Sequence, residues 1–340
     1  MTLPSAAWVG NPFFMPALAE LGWRVQGINP AAGETLDWNG IVSRCGYEPE
    51  VLIVGDKSLP PFVLGMERFP CLTVFYAVDT HIHSWFPRYA QAFDLCLVSL
   101  KDHMPLFSAG RLSRETVWWS PPYANPADVP LPPDPARPLD EVLFLGTADP
   151  AINPERCVFL DALAALTPGL RVAHGGERAG QYAQAKIVLN HAIAGDLNFR
   201  VFEALGCGAC LVTPRVRHGL EELFANGEDL FTFDQNDIPG LAKLLAALLA
   251  APARRAKAAA SGHAKAAAGH YMRHRAESFA CEVSRLLLSG RARELVADRL
   301  AQAARIHSGW LKLLYLHHAD ATEPGPLKSA YLRAARAFQG

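Results

Sequence analysis

Unbroken apolar runs of strand length recur along the first two thirds of this chain, and they constrain its fold more than any other feature. AAWVG (6–10), WRVQGIN (23–29), EVLIVG (50–55), CLTVFYAV (71–78), DLCLVS (94–99) and TVWWS (116–120) come first. EVLFLG (141–146), LRVAH (170–174), AKIVLN (185–190), ACLVTP (209–214) and DLFTF (229–233) follow. A half-exposed strand alternates apolar and polar residues, whereas an unbroken run suits a strand covered on both faces, as in a parallel sheet between two helical layers. Segments such as NPFFMPALAELG (11–22), PERCVFLDALAAL (154–166) and NFRVFEALG (198–206) supply those helices. The expected class is α/β and doubly wound.

Proline divides the pattern in two. Eight of the 26 prolines fall between residues 121 and 138, in a stretch that can be neither helix nor central strand and reads as a semi-rigid extended connector. The spacing therefore predicts a Rossmann-like domain over 1–120, a linker over 121–139, a second Rossmann-like domain over 140–280 and a helical extension over 281–340. In open sheets of this kind ligands bind outside the carboxyl ends of the strands, so two such domains facing each other would frame a cleft.

Half of the residues are hydrophobic and 19% are charged, which excludes a mainly disordered chain. The formal net charge of −1 conceals an acidic body and a basic tail: residues 1–250 sum to −10 and residues 251–340 to +9. Such a tail suits a solvated helical surface, an acidic partner or an anionic membrane surface. No signal peptide or membrane-length apolar run is recognisable, so the expected location is cytoplasmic, and seven scattered cysteines suit reduced thiols.

The most informative segment is KIVLNHAIAGDLNFRVFEALGCGACLVTP (186–214). A strand ends at Asn190, a polar loop follows, and a helix begins near Asn198, a suitable N-cap, with Arg200 in its first turn and Glu203 one turn on. An exposed Arg/Glu pair is the plain reading. The rest of the helix is apolar, however, and a carboxylate buried against a sheet needs a partner. A helix N-terminus with an added arginine suits a phosphate or diphosphate, and a two-oxygen acceptor suits the paired hydroxyls of a ribose.

This segment, with GLEELFANGEDLFTF after it and FLGTADP, ERCVFLDAL and YMRHR in order, resembles the donor domain of group 1 glycosyltransferases, and more narrowly the spore-maturation-type branch of sugar-nucleotide-dependent transferases. The likeness spans about residues 141–280 and extends loosely over 1–120. It implies a GT-B architecture and transfer of a sugar from a UDP-, GDP- or dTDP-sugar to a hydroxyl acceptor on a glycan, protein or lipid carrier; the alternatives are a sugar-nucleotide epimerase or hydrolase on the same scaffold and a non-catalytic nucleotide-binding partner module. It also implies that Glu203 holds the ribose, that Arg200 and Lys186 hold the diphosphate, that the Gly146–Thr147 turn approaches the phosphates, and that Asn190 and Asn198 border the site. Many relatives carry an acidic residue eight positions before that glutamate; here Gly195 stands there, beside Asp196.

None of the 16 aspartates forms an Asp-x-Asp pair, so the leaving-group charge is expected to meet fixed positive groups, with no metal and no further cofactor, and no nucleic acid partner is expected. VDTHIHSW (78–85) closes a strand of the first domain and offers Asp79, His81 and His83 as a base or acceptor contact. The alternatives there are helix capping by Asp79 or Thr80 and part of a metal site. The turn Gly10–Asn11 could border the acceptor or be only a tight turn. Cys207-Gly-Ala-Cys210 closes a helix, the wrong end for a reactive Cys-x-x-Cys, and reads as buried packing.

Overall fold

The computed structural model describes residues 3–338 and divides the chain into two compact units, residues 1–121 with 275–340, and residues 122–274. The first contains β1 (Ser5–Gly10), β2 (Arg24–Ile28), β3 (Val51–Gly55), β4 (Leu72–Ala77), β5 (Leu95–Val98) and β6 (Val117–Trp119). All pair in parallel, in the order β2-β1-β3-β4-β5-β6. The unbroken apolar runs account for this, since β3, β4 and β5 are buried at every residue.

The second unit holds β7 (Asp140–Leu145), β8 (Leu170–Ala173), β9 (Ala185–Leu189), β10 (Leu211–Pro214) and β11 (Phe231–Phe233), parallel in the order β11-β10-β9-β7-β8. Val142, Phe144, Ile187, Leu189 and Val212 meet Phe159, Leu163, Leu241 and Leu245 of the covering helices in its core. In each sheet the strand order reverses once, between β1 and β3 and between β7 and β9. A doubly wound sheet leaves its crevice at the carboxyl ends of such a pair.

Residues 122–139, read above as a connector, belong to the second unit. Proline-rich chain lacks N–H groups but keeps its carbonyls, and the buried Gln184 takes them: its amide donates to Arg137 O at 2.8 Å and Pro138 O at 3.0 Å, while its Oε1 accepts from Asp134 N at 2.9 Å.

The C-terminal helices, read as an extension, belong to the first unit. Leu311, Leu314, Tyr315 and Tyr331 join its core. Arg299 is fully buried, pairs with the buried Asp94 at 2.8 Å and donates to the carbonyls of Met66 (2.5 Å), Phe69 (2.9 Å) and Cys71 (2.8 Å). Nε, Nη1 and Nη2 of that guanidinium each find acceptors, three carbonyls before β4 and the Asp94 carboxylate before β5, so part of the basic tail is interior. Among the described residues no helix is long and apolar enough to cross a membrane.

Candidate functional site

The ends of β7 and β9 converge on one side chain. Arg200, in the first turn of the helix Phe199–Gly206, donates from Nε to the Leu145 carbonyl at 2.9 Å and from Nη1 to Asn190 Oδ1 at 2.7 Å. Asn190 is fully buried and donates in turn to Thr213 Oγ1 at 3.0 Å, so β7, β9 and β10 together orient the guanidinium. Gly146 leaves the necessary room, because a Cβ there would stand 2.8 Å from Arg200 Nη2. Asn198 occupies the N-cap position in extended backbone, yet its side chain makes no capping bond and its Oδ1 is buried without a hydrogen bond.

A second guanidinium, which the motif reading missed, lies beside the first. Arg156 sits in the first turn of the helix Pro154–Leu166, is 6% exposed, and donates from Nη1 to Thr147 O at 2.9 Å, leaving its Nε buried and unbonded. Arg156 and Arg200 both face the Phe144 ring, at 5.5 and 5.3 Å from its centroid. Their hydrogen bonds go to backbone carbonyls and to the Asn190 side-chain oxygen, and the Asp196 charge acts on Arg156. Burial and the Arg200 charge lower the Arg156 pKa. Next to Asn190, burial and then the two arginines push His191 down to about 4, so its ring is neutral. Its Nε2 meets the Gln235 amide at 3.0 Å, which leaves the proton on Nδ1, buried and without a partner. Two like charges and an unsatisfied donor in one largely buried cluster are unfavourable alone and complementary to an anion.

Glu203, one turn along the same helix, does not pair with Arg200. Its Oε1 lies 2.9 Å from Arg178 Nη1, and Arg178 Nε holds the buried Asp128 at 2.8 Å. Burial raises the Glu203 pKa and the Arg178 charge opposes that rise. Arg178 was the second residue missed: it opens the helix Arg178–Ala183, just after Gly175 and Gly176, which both adopt positive φ.

Lys186 is elsewhere. It is the second residue of β9 and faces Glu141 Oε1 at 3.7 Å, on the amino-terminal side of the sheet. Four residues of strand, about 13 Å, separate it from Asn190, so the structure corrects the expectation that it serves the diphosphate. Thr147 does lie at the β7 end, with its Oγ1 3.4 Å from His174 Nδ1.

In the first unit Gly10 and Gly55 stand at the β1/β3 reversal, where a Cβ on Gly10 would meet the Gly55 carbonyl at 2.1 Å, and the exposed Asn11 accepts the Trp8 indole N–H through its carbonyl at 2.7 Å. Asp79 follows β4; its carboxylate accepts from Ser58 Oγ and its N–H donates to the buried Asp56 at 2.7 Å. His83 packs against Phe86 at 4.9 Å and Trp85 at 5.9 Å. His81 is half-buried, with Nδ1 unbonded. The neighbouring Thr80 hydroxyl meets His103 Nδ1 at 2.8 Å. Among the described residues no cluster of three or more His, Cys, Asp or Glu could hold a metal ion. Burial pushes the thiols of Cys207 and Cys210 up to about 12 and about 11, which leaves both protonated and unreactive.

Residues 156–280 match the glycosyl transferase-like family model. No curated protein matches the chain by sequence. Among solved structures, the chain is similar to HepE of Anabaena, solved with UDP and glucose, at a TM-score of 0.61 and 12% identity, over 83% of this chain and 100% of that one. It is also similar to a glycosyltransferase of Rickettsia africae (TM-score 0.61, 8% identity, 84% and 99% covered). Sucrose-phosphate synthase of Thermosynechococcus elongatus gives a TM-score of 0.58 at 13% identity, with 84% and 100% covered.

Proposed function

We propose that this chain, which has the GT-B fold and matches a glycosyl transferase-like family over residues 156–280, is a glycosyltransferase whose second unit binds a nucleoside diphosphate sugar at the β7/β9 reversal and releases the nucleoside diphosphate once the sugar has moved to a hydroxyl acceptor. The observation that carries this reading is the pair of guanidiniums, Arg156 buried and Arg200 half-buried, side by side over the Phe144 ring with their hydrogen bonds going to backbone carbonyls and the Asn190 side-chain oxygen. Arginine presents planar donors that match phosphate oxygens, and two fixed positive charges suit a diphosphate. HepE, similar in fold, was solved with UDP-glucose, which makes a UDP-sugar the first donor to test.

In the reaction the bond between the sugar C1 and the diphosphate oxygen breaks and its electron pair stays on that oxygen. Arg156 and Arg200 stabilise the developing charge, which is where preorganised donors act most strongly. The acceptor oxygen forms the new bond to C1 and loses its proton to a base. His81, half-exposed at the end of β4, is the acceptor-side group we assign to that proton. Glu203, with Oε1 fixed by Arg178, offers its second oxygen to the ribose hydroxyls. The leaving-group charge is met by guanidinium in this reading, so chelators should leave donor binding unchanged.

The test is calorimetry of UDP-, GDP- and dTDP-sugars on the full chain in EDTA, with wild type and Arg200→Ala. At least one donor binds wild type and binds the variant at least tenfold more weakly. No binding of any donor, or equal binding to both proteins, would overturn the assignment.

A further inference from the structure

A side chain at the β7/β9 reversal has a hydrogen to give and, among the described residues, no partner to take it. His191 follows β9 and is 4% exposed. Its ring packs on Phe159, with 4.6 Å between centroids, one turn along the helix that carries Arg156. Its carbonyl lies 3.5 Å from Arg200 Nη1, and its Nε2 meets the amide nitrogen of Gln235 at 3.0 Å.

The Gln235 contact decides where the imidazole proton sits. Gln235 follows β11, and the same amide nitrogen stands 3.1 Å from the Ala192 carbonyl. A carbonyl only accepts, so the group facing it is the NH2 and not the amide oxygen. One hydrogen of that NH2 goes to Ala192 and the other to His191, whose Nε2 is therefore the bare, accepting nitrogen. Burial first, and then the charges of Arg156 and Arg200, push the His191 pKa down to about 4, so the ring is neutral near pH 7. A neutral imidazole carries one N–H, and here it is on Nδ1. Which ring nitrogen is protonated is set by the bond the other one makes. An imidazole free in water favours the Nε2–H form, so this tautomer is imposed by Gln235.

Buried donors are paired in the great majority of cases. Here Nδ1–H of His191 and Nε–H of Arg156 are both buried and unbonded, beside two guanidinium charges. An oxygen-rich anion supplies the acceptors that both lack. We propose that His191 is a third ligand of the donor diphosphate, giving its Nδ1–H to a diphosphate oxygen, and that Gln235 is the positioning residue that holds the ring in the donating tautomer. A third cation would add to the repulsion between the arginines. A neutral N–H adds no charge and still strengthens its bond as charge develops on the leaving oxygen. This inference rests on the donor reading proposed above.

The experiment joins imidazole nitrogen NMR with calorimetry of UDP, GDP and dTDP on the full chain. In nucleotide-free wild type near pH 7 the His191 signals, assigned through their contacts with Phe159, show a protonated Nδ1 and a bare Nε2, and Gln235→Leu moves the proton toward Nε2. For the nucleotide that binds wild type most tightly, His191→Ala raises Kd about tenfold, the loss of one hydrogen bond to a charged acceptor. His191→Asn stays within about threefold of wild type, because a carboxamide NH2 can stand where Nδ1–H stood. Gln235→Leu weakens binding about fivefold in wild type and leaves it unchanged in the His191→Asn background, where no tautomer remains to be set. A protonated Nε2 in wild type would overturn the proposal, and that reading does not depend on how the variants fold. So would an unchanged Kd in His191→Ala, or an equal loss from Gln235→Leu in both backgrounds, which is the outcome for a merely structural glutamine. If Arg200→Ala weakens the nucleotide and His191→Ala does not, this inference alone fails; if no nucleotide binds wild type, the donor reading fails and takes this inference with it.

Discussion

Glu203→Gln isolates the contact that distinguishes a nucleotide from any other diphosphate. The carboxylate is mostly buried, with Oε1 fixed 2.9 Å from Arg178, and Arg178 keeps its bond to Asp128 when Glu203 loses its charge. The fold should therefore survive, since the lost ion pair is offset by removal of a buried charge. Binding should not survive intact. Hydrogen bonds to a charged acceptor contribute about 1.5–3 kcal/mol, those to a neutral one about 0.5–1.5 kcal/mol, and an amide offers one acceptor oxygen in place of two. A net loss of about 2 kcal/mol corresponds to a roughly 30-fold rise in Kd for UDP. The assay is a thermodynamic cycle by calorimetry, with UDP and 2′,3′-dideoxyuridine diphosphate each titrated into wild type and Glu203→Gln. Removing the hydroxyls weakens binding to wild type by about the same factor as the substitution and has little further effect on the variant. If the dideoxy nucleotide loses the same factor against both proteins, Glu203 does not hold the ribose and the orientation proposed for the nucleotide is refuted.

The pH dependence follows from the same residue. Burial holds the Glu203 carboxyl above the usual carboxylate range and the charged form binds the ribose, so affinity is full above its folded-state pKa and is lost as pH falls through it; in calorimetry the gap between wild type and Glu203→Gln closes toward low pH, and a gap independent of pH contradicts this. Arg299→Ala strands the buried Asp94 and three carbonyls, a cost of roughly 4 kcal/mol. For a unit of about 190 residues that lowers Tm by roughly 8–16 °C in scanning calorimetry, whereas a fall of under about 3 °C would show that this guanidinium does not hold the C-terminal helices. Gly146→Ala places a methyl 2.8 Å from Arg200 Nη2 and displaces a side chain fixed by three strands; donor Kd rises about tenfold with Tm unchanged, and unaltered affinity would mean that the Arg200 position is not critical.

The strands were legible because both sheets are parallel and covered, so β1, β3, β4, β5, β7 and β9 each stand out as an unbroken apolar run. The helix with Arg200 and Glu203 was legible for a related reason: charges in an otherwise apolar helix must have partners. Other features depend on position in three dimensions. Lys186 precedes Asn190 by four residues, and only the register of β9 with β7 shows that those residues carry it toward the other end of the sheet. Arg156 resembles any charge at a helix start until the Phe144 ring and Arg200 are seen beside it. Arg299 was indistinguishable from the solvated arginines of the basic tail, because burial of one guanidinium depends on three carbonyls more than 220 residues away in sequence. The proline-rich stretch reads as a free connector since its partner, Gln184, lies at the end of a distant helix.

The central claim is that the two adjacent guanidiniums at the β7/β9 reversal hold a donor diphosphate, and a crystal structure of the full chain with UDP tests it most directly. The account predicts diphosphate oxygens within about 3 Å of Arg156 and Arg200 nitrogens, a hydrogen-bond distance, with the ribose hydroxyls on Glu203. A nucleotide bound away from both arginines, or one whose ribose rather than diphosphate meets them, would contradict it.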